Sequence, residues 1–143
     1  MKKLFTILIL LVLVAVPLVL LKLSRDKQEE YKHSAFIANG LALAMDVTQR
    51  VGEYYLVRGE MPQNNGAMDL PSAEQFANQA VKAIEVNDGV VVVKFNQLSG
   101  VDDGVIKLMP ELTEGSGLVL WNCETPSYPF VIHYAPQCRY VGM

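Results

Sequence analysis

The most prominent pattern in the sequence is an unbroken apolar block near the N-terminus. Residues Leu4 to Leu21 include no charged side chain, and only Thr6 and Pro17 interrupt the block. A helix rises about 1.5 Å per residue, so the block makes roughly 27 Å of helix, close to the thickness of a bilayer hydrocarbon core. It is longer than the apolar region of a cleaved secretory signal and lacks the small residues of such a cleavage site. The pattern predicts a single membrane-spanning helix. The anchor residues assigned to it include Leu4, Phe5, Ile9, Pro17 and Leu21.

The apolar block runs into an amphipathic helical pattern without a break. From Glu29 to Val57 there is no proline, and apolar or small residues recur three and four positions apart. This spacing is typical of a helix with one packed face. The helix is predicted to end at Arg58 and Gly59, because glycine favours a helix C-cap and Pro62 prevents continuation. The predicted packed face consists of Ile37, Leu41, Ala44, Thr48, Val51 and Tyr55.

The period changes to that of strands in the second half of the chain. A loop from Met61 to Gly66 and a short helix from Ser72 to Gln79 come first, and Ser72 is a residue type that caps helices. Asn87-Asp88-Gly89 then separates two β-rich runs and is a strong hairpin signal. The predicted strands are Ala80–Val86, Val90–Phe95, Val105–Met109 and Gly117–Asn122. A fifth extended segment, Phe130–Tyr134, is at best an edge strand because prolines flank it.

Composition and charge exclude several classes of protein. The 143 residues are 51% hydrophobic, which excludes a disordered chain. The 12 basic and 15 acidic residues form no basic stretch, so no nucleic-acid partner is predicted for the head. A count of Lys and Arg on the two sides of the apolar block places the C-terminal part in the cytoplasm. The presence of two cysteines points instead to an oxidising compartment.

The cysteines and histidines are the residues most able to carry chemistry. Cys123 and Cys138 form an even pair beyond a membrane signal, which indicates a disulfide that fastens the C-terminal tail to the last strand. An alternative is a Cys138 nucleophile beside His133, but no third group that would orient it is evident. Neither His33 nor His133 has neighbours at the spacing of zinc ligands, and no catalytic motif occurs. We therefore expect no metal, no cofactor and no enzymatic activity.

Aromatic residues concentrate in the C-terminal loop. Tyr128, Phe130 and Tyr134 lie within one short stretch, and exposed aromatic side chains often form contact surfaces. Packing of the same rings within their own domain is the alternative interpretation.

Together these elements predict an α+β roll. The sheet needs an apolar surface to pack against, and the packed face of the helix is the one that the pattern offers. The expected fold is a long N-terminal helix, membrane-spanning in its first half, packed against a four-stranded antiparallel sheet with a C-terminal disulfide loop. We expect residues 1–28 to form the transmembrane anchor and residues 29–143 to form the head.

The order of these features resembles the type IV pilin family over nearly the whole chain. Gly40–Ala44, Val51–Tyr55 and Gly59–Asn65 are similar to the family pattern LALA…V-x-EYY…G-x-x-P-x-x-N. Gly117–Cys123 is similar to its ending G-x-[IV]-x-W-x-C, and Ala135–Cys138 is similar to the P-x-x-C that follows, with one residue instead of two between Pro136 and Cys138. Each piece is short, but their order and spacing together are specific.

The resemblance implies a subunit that is first anchored in the bacterial inner membrane with its head in the periplasm. We prefer this orientation to the cytoplasmic head that the count of Lys and Arg indicates. It also implies assembly with other pilin subunits into a surface pilus. In such a pilus the N-terminal helices bundle into a core and the heads form the shell. Pili of this kind serve cell adhesion, twitching motility or DNA uptake.

Two N-terminal positions depart from the family pattern. Leu4 stands where the prepilin peptidase requires glycine, and Ile9 stands where a glutamate is expected. The leader is therefore expected to resist cleavage, and the apolar Ile9 removes a buried charge used in assembly and suits a permanent anchor. The leading hypothesis is a structural subunit of a pilus. The alternative is an accessory protein that stays anchored in the inner membrane and binds pilins or the assembly machinery. A signal-anchored periplasmic enzyme is the third.

Overall fold

A computed structural model describes residues 2–113 and 117–142, without the side chains of residues 2–5 and 8. The chain divides into two compact units, Met1–Lys32 and His33–Met143, and we call the second unit the head. One helix, α1, extends from Lys2 to Arg58, so it begins in the first unit and ends in the head. This confirms the continuous helix predicted from the sequence.

The first unit is a helical segment with exposed apolar side chains. The described large apolar side chains between Ile7 and Leu23 are all exposed, and Pro17 lies inside the helix. In the part of the chain that the structure describes, no helix is long and apolar enough to cross a membrane. Two predicted anchor residues, Leu4 and Phe5, have side chains that lie outside the described residues.

Within the head, α1 packs one face against the sheet. Ile37, Leu41, Ala44, Thr48 and Val51 are buried, as the spacing of apolar residues predicts. The last member of the predicted face, Tyr55, is only half-buried, because it lies in the final turn of the helix.

Two glycines set the position and the end of this helix. A methyl group placed on Gly40 would lie 2.3 Å from Cε1 of Phe95, so the buried Phe95 ring rests directly on the helix backbone. Gly59 follows the last helical residue with a φ of +73°, a conformation that glycine adopts without strain. Its N–H donates to the Tyr55 carbonyl oxygen at 2.8 Å, which closes the helix as predicted.

Five strands form one sheet within the described residues, in chain order across the sheet. They are β1 (Val81–Asn87), β2 (Val90–Phe95), β3 (Val105–Leu112), β4 (Val119–Thr125) and β5 (Cys138–Tyr140). Neighbours among β1 to β4 pair antiparallel, which confirms the four predicted strands with small shifts of their bounds. β5 pairs parallel to β4 and is an addition to the prediction.

The predicted edge strand Phe130–Tyr134 is wrong. Residues Val131–His133 form a 3₁₀ turn, and the Ala135 N–H donates to the Val131 carbonyl oxygen at 2.7 Å. The turn directs Val131 and Ala135 into the core, where both are buried. In an extended strand, side chains alternate between the two faces, and no backbone hydrogen bond joins residues four positions apart. The bond from Ala135 to Val131 is therefore incompatible with the predicted strand.

The helix predicted over Ser72–Gln79 is much shorter than expected. Only Ala73–Phe76 form a 3₁₀ turn, at whose start the Ser72 N–H donates to Oε1 of Gln75 at 2.9 Å. The turn ends early because Asn78 turns the chain towards β1. Its Oδ1 accepts the N–H groups of Ala80 and Val81 at 3.0 and 2.9 Å.

Side chains from both layers form the core of the head. The fully buried members with the largest volumes are Phe95, Ile37, Ile84, Ile106, Val47, Val51, Val81, Val91, Val93 and Val131. The helix, the sheet and the C-terminal loop all contribute to this list, so the loop is part of the fold.

Candidate assembly surface

The C-terminal disulfide joins two neighbouring strands. Cys123 of β4 and Cys138 of β5 lie directly opposite each other in the strand register, with their Cα atoms 4.3 Å apart. The predicted bridge is confirmed. Because Cys138 is bonded, its thiol cannot act as a nucleophile, and the alternative pairing with His133 is wrong. The bridge holds a strand of three residues against the edge of the sheet.

Tyr128 belongs to the core and not to a contact surface. Its side chain is buried, and its ring meets Phe95 edge-on at 5.9 Å between centroids. The Tyr128 hydroxyl lies 2.7 Å from Oγ of Ser99, which links the C-terminal loop to the segment between β2 and β3. Burial raises the pKa of the Tyr128 phenol to about 12, although the bond to Ser99 opposes the shift.

The surface of the C-terminal loop is formed by Phe130 and Ile132. These side chains are 66% and 62% exposed, and the Phe130 ring lies beside the His133 ring at 6.2 Å. Tyr134 is half-buried and packs against the core. Of the three predicted contact residues, only Phe130 is free to contact another molecule. Sequence reasoning missed Ile132, because its exposure depends on the 3₁₀ turn that buries Val131.

A second line of residues runs along the exposed side of α1 in the head. Its members follow one another at intervals of three and four residues, carry no charge and are small, polar or apolar. They are Ala35, Ala38, Ala42, Met45, Gln49, Gly52 and Leu56. We call this line the outer stripe.

The sheet does not cover the outer stripe. Met45 and Leu56 are 57% and 67% exposed, and a methyl group placed on Gly52 would meet no atom within 4 Å. Helix faces with small residues at this spacing allow another helix to approach closely. The outer stripe has the same three- and four-residue spacing that identified the packed face of α1, so the sequence contains a signal for it. Sequence reasoning assigned that spacing to the packed face alone and missed the stripe.

The outward face of the sheet is charged in contrast to the outer stripe. Nζ of Lys94 lies 3.1 Å from Oε2 of Glu85, and Arg139 pairs with Glu124. At one corner, Nζ of Lys82 lies 2.8 Å from Asp102 and 2.6 Å from Asp103. Hydrogen bonds to these carboxylates raise the pKa of Lys82, and the bond to Lys82 lowers the pKa of Asp102. This face is suited to water, so the stripe and the C-terminal loop are the better candidates for contact.

The chain matches known proteins of one kind. The sequence model of a family described as Pilin (bacterial filament) matches residues 35–139. The chain belongs to the type IV pilin family. The match includes α1 from residue 35 onwards, strands β1 to β4, the first two residues of β5 and both cysteines of the disulfide.

Two curated relatives, both pilus proteins, are similar to this sequence over most of the chain. The chain is 27% identical over 132 residues to a fimbrial protein of Neisseria meningitidis serogroup B (strain ATCC BAA-335 / MC58), covering 88% of this chain and 75% of that protein. It is 29% identical over 129 residues to the type IV major pilin protein PilE1 of Neisseria gonorrhoeae, covering 88% and 78%. Membership in this family confirms the structural role inferred from the sequence and indicates a structural rather than an enzymatic protein.

Proposed function

We propose that this pilin is a subunit of a type IV pilus, in which α1 packs against the helices of other subunits. The observation that carries the proposal is the outer stripe, an uncharged helix face that the pilin's own sheet leaves open. Its exposed apolar members, Met45 and Leu56, are 57% and 67% exposed, and a helix face with small and apolar residues at this spacing can pack against another helix. The described apolar side chains between Ile7 and Leu23 are exposed in the same way and also require a partner other than water.

Before assembly, the segment Leu4–Leu21 holds the chain in the inner membrane with the head in the periplasm. The support for this part of the proposal is the absence of any charged residue from the segment and the disulfide in the head, which is typical of an oxidising compartment. Extraction of membranes with alkaline carbonate tests it. The chain should remain in the pellet, and recovery in the supernatant would contradict membrane anchoring.

A charge placed on the outer stripe tests the assembly role. Met45→Glu buries a carboxylate in the proposed helix contact, so the variant should be strongly depleted from pili sheared off the cell surface while its amount in the cell is unchanged. Leu98→Glu is the matched control, because Leu98 is also an exposed apolar residue of the head but lies outside α1. Equal recovery of both variants in sheared pili would contradict a role for the stripe.

The second candidate is an accessory protein that stays in the membrane and binds pilins or their assembly machinery. The departures at Leu4 and Ile9 favour it, since the family pattern has glycine and glutamate there. The two functions differ in where the native chain is found. A subunit is recovered in sheared pili, whereas an accessory protein remains in the membrane fraction.

A further inference from the structure

The hairpin formed by β3 and β4 extends beyond the strands on both of its sides. β2 pairs with β3 only as far as Leu108, and β5 pairs with β4 only from Cys123 onwards. The hairpin itself continues to the pair of Leu112 with Val119. Its last residues therefore have an open edge on each side, one along β3 and one along β4.

A proline interrupts the open edge on the β3 side. The Thr113 N–H donates to the Leu118 carbonyl oxygen at 3.3 Å, so every second residue from this pair bonds across the hairpin and the residues between them point away from it. Pro110 is one of those that point away, and it has no N–H to offer. Proline on an exposed edge is a common protection against pairing with another chain.

The open edge on the β4 side has no such protection. By the same alternation, the N–H and C=O groups of Val119 and Trp121 point away from β3. In the part of the chain that the structure describes, these groups bond to no other segment. Leu118 and Leu120 are 63% and 55% exposed, and no charged residue occurs from 117 to 122. An open edge strand that is apolar and uncharged is a template for pairing with a further strand.

We infer that this edge, residues 118–122, pairs with the same edge of a second copy of this chain. The two strands run antiparallel about a two-fold axis at Leu120. Val119 then lies opposite Trp121 of the second copy, and the N–H of each donates to the carbonyl oxygen of the other. The symmetry repeats this pair on the other side of the axis, so all the open groups of both residues are satisfied.

The side chains are the reason for assigning a second copy to this edge. On the inward face, Val119 meets Trp121 of the second copy, and pairs of a β-branched with an aromatic residue are stabilising across strands. On the outward face, Leu120 meets Leu120 of the second copy. No charged side chain lies opposite a like charge in this register. The edge is therefore complementary to itself in shape, polarity and hydrogen bonding.

A shallow cavity beside the edge has room for the end of the added strand. The cavity has a volume of about 440 Å³, and its lining includes Met109, Asn122 and Gln137. In the proposed register Leu118 of the second copy lies opposite Asn122, so its side chain can pack against Met109. The contact does not involve α1, so it is separate from the outer stripe and independent of the pilus proposal.

A cross-link at the axis tests the inference. Leu120→Cys places two thiols at opposite positions whose Cα atoms lie about 4.5 Å apart, which a disulfide can bridge. The full chain, with its native disulfide intact, is purified in detergent and treated with a mild oxidant, and dimers are counted on non-reducing gels. Leu118→Cys is the matched control, because it lies on the same face but opposite Asn122. We expect dimers from Leu120→Cys and few from Leu118→Cys.

A proline in the edge tests whether backbone pairing holds the dimer. Val119→Pro in the Leu120→Cys background removes an N–H that points away from β3, so the bonds of the hairpin remain. Dimers should fall about tenfold, because the pair loses the Val119 N–H bonds of both copies. Val119→Ala in the same background keeps the N–H, so dimers should persist. Circular dichroism confirms that each variant is folded.

Each alternative result overturns the inference. Equal cross-linking at positions 118 and 120 would show random collision in place of a defined register. A folded Val119→Pro variant that cross-links as readily as its parent would show that the edge is not paired. A native chain that stays monomeric by light scattering, at concentrations where Leu120→Cys cross-links, would show that the oxidant trapped chance encounters. Dimers that form without a link at position 120 would place the contact elsewhere on the head.

Discussion

Single residues determine how closely the layers of the pilin head approach each other. Gly40 and Gly52 lie in the same helix, but one faces the Phe95 ring and the other faces open space. Identical substitutions at the two positions should therefore have opposite effects.

Gly40→Ala should destabilise the head. The added methyl group would lie 2.3 Å from Cε1 of Phe95, so the buried ring or the helix must shift, at a cost of about 1–3 kcal/mol. Gly52→Ala should stabilise the protein by up to about 1 kcal/mol, because alanine is the better helix former and meets no neighbour. Denaturant unfolding measures both, and a Gly40→Ala variant as stable as the native chain would show that the layers are not in close contact.

The Tyr128 hydroxyl should contribute a measurable pH dependence. Its folded pKa is raised from 10.0 to about 12, so the folded state holds its proton more tightly than the unfolded state. This contribution is fully present below pH 10 and is lost as the pH rises towards 12. Tyr128→Phe should remove that part of the alkaline decline. A variant with the native slope across this window would contradict the assignment.

At the scale of elements, the disulfide should be the main support of β5. The strand has three residues, and the bridge closes a separation of 15 residues. Replacing Cys123 and Cys138 together by serine should lower the free energy of unfolding by about 3 kcal/mol in the chain-entropy account. Hydrogen exchange should report earlier loss of protection in β5 than in β1 or β2. Equal stability of the variant and the native head would show that packing alone holds the C-terminal loop.

Two neighbouring residues of the C-terminal loop should have different roles, one in contact with other subunits and one in the stability of the head. Phe130→Ser removes an exposed side chain and should change the free energy of unfolding by less than about 0.5 kcal/mol. Val131→Ser places a hydroxyl in the core and should cost several times more. If Phe130→Ser nevertheless reduces the amount of chain in sheared pili, Phe130 contacts a neighbouring subunit. A large loss of stability for Phe130→Ser would instead assign this residue to the core.

The sequence predicted correctly the elements that local interactions form, and it failed for elements that depend on contacts between distant residues. The helix and β1 to β4 are set by local periodicity and by turn residues such as Asn87-Asp88-Gly89, which a sequence displays directly. β5 and the 3₁₀ turn over Val131–His133 depend on a disulfide and on core contacts with distant residues. The buried Asn65 side chain donates to the Ile84 carbonyl oxygen and accepts the Val86 N–H. The sequence gave no local sign of these bonds, because the two partners lie 19 and 21 positions away.

At the scale of the whole molecule, charge is unevenly distributed along the chain. The segment Met1–Lys32 has six basic and three acidic residues, whereas His33–Met143 has six basic and twelve acidic residues. A head with this acidic excess should repel the phosphate backbone of nucleic acids. Pili made from this pilin should therefore bind duplex DNA weakly at physiological salt unless another subunit supplies the contact. Tight binding by pili that contain no other subunit would contradict this expectation.

The most direct test of the central claim is the location of the native chain in cells that make pili. Surface filaments are sheared off, purified and compared with the inner-membrane fraction by quantitative immunoblotting against the head. A pilus subunit should be recovered in the purified filaments, together with a pool in the membrane. Complete retention in the membrane while filaments made of other pilins are present would contradict the claim and would assign the chain to the accessory role.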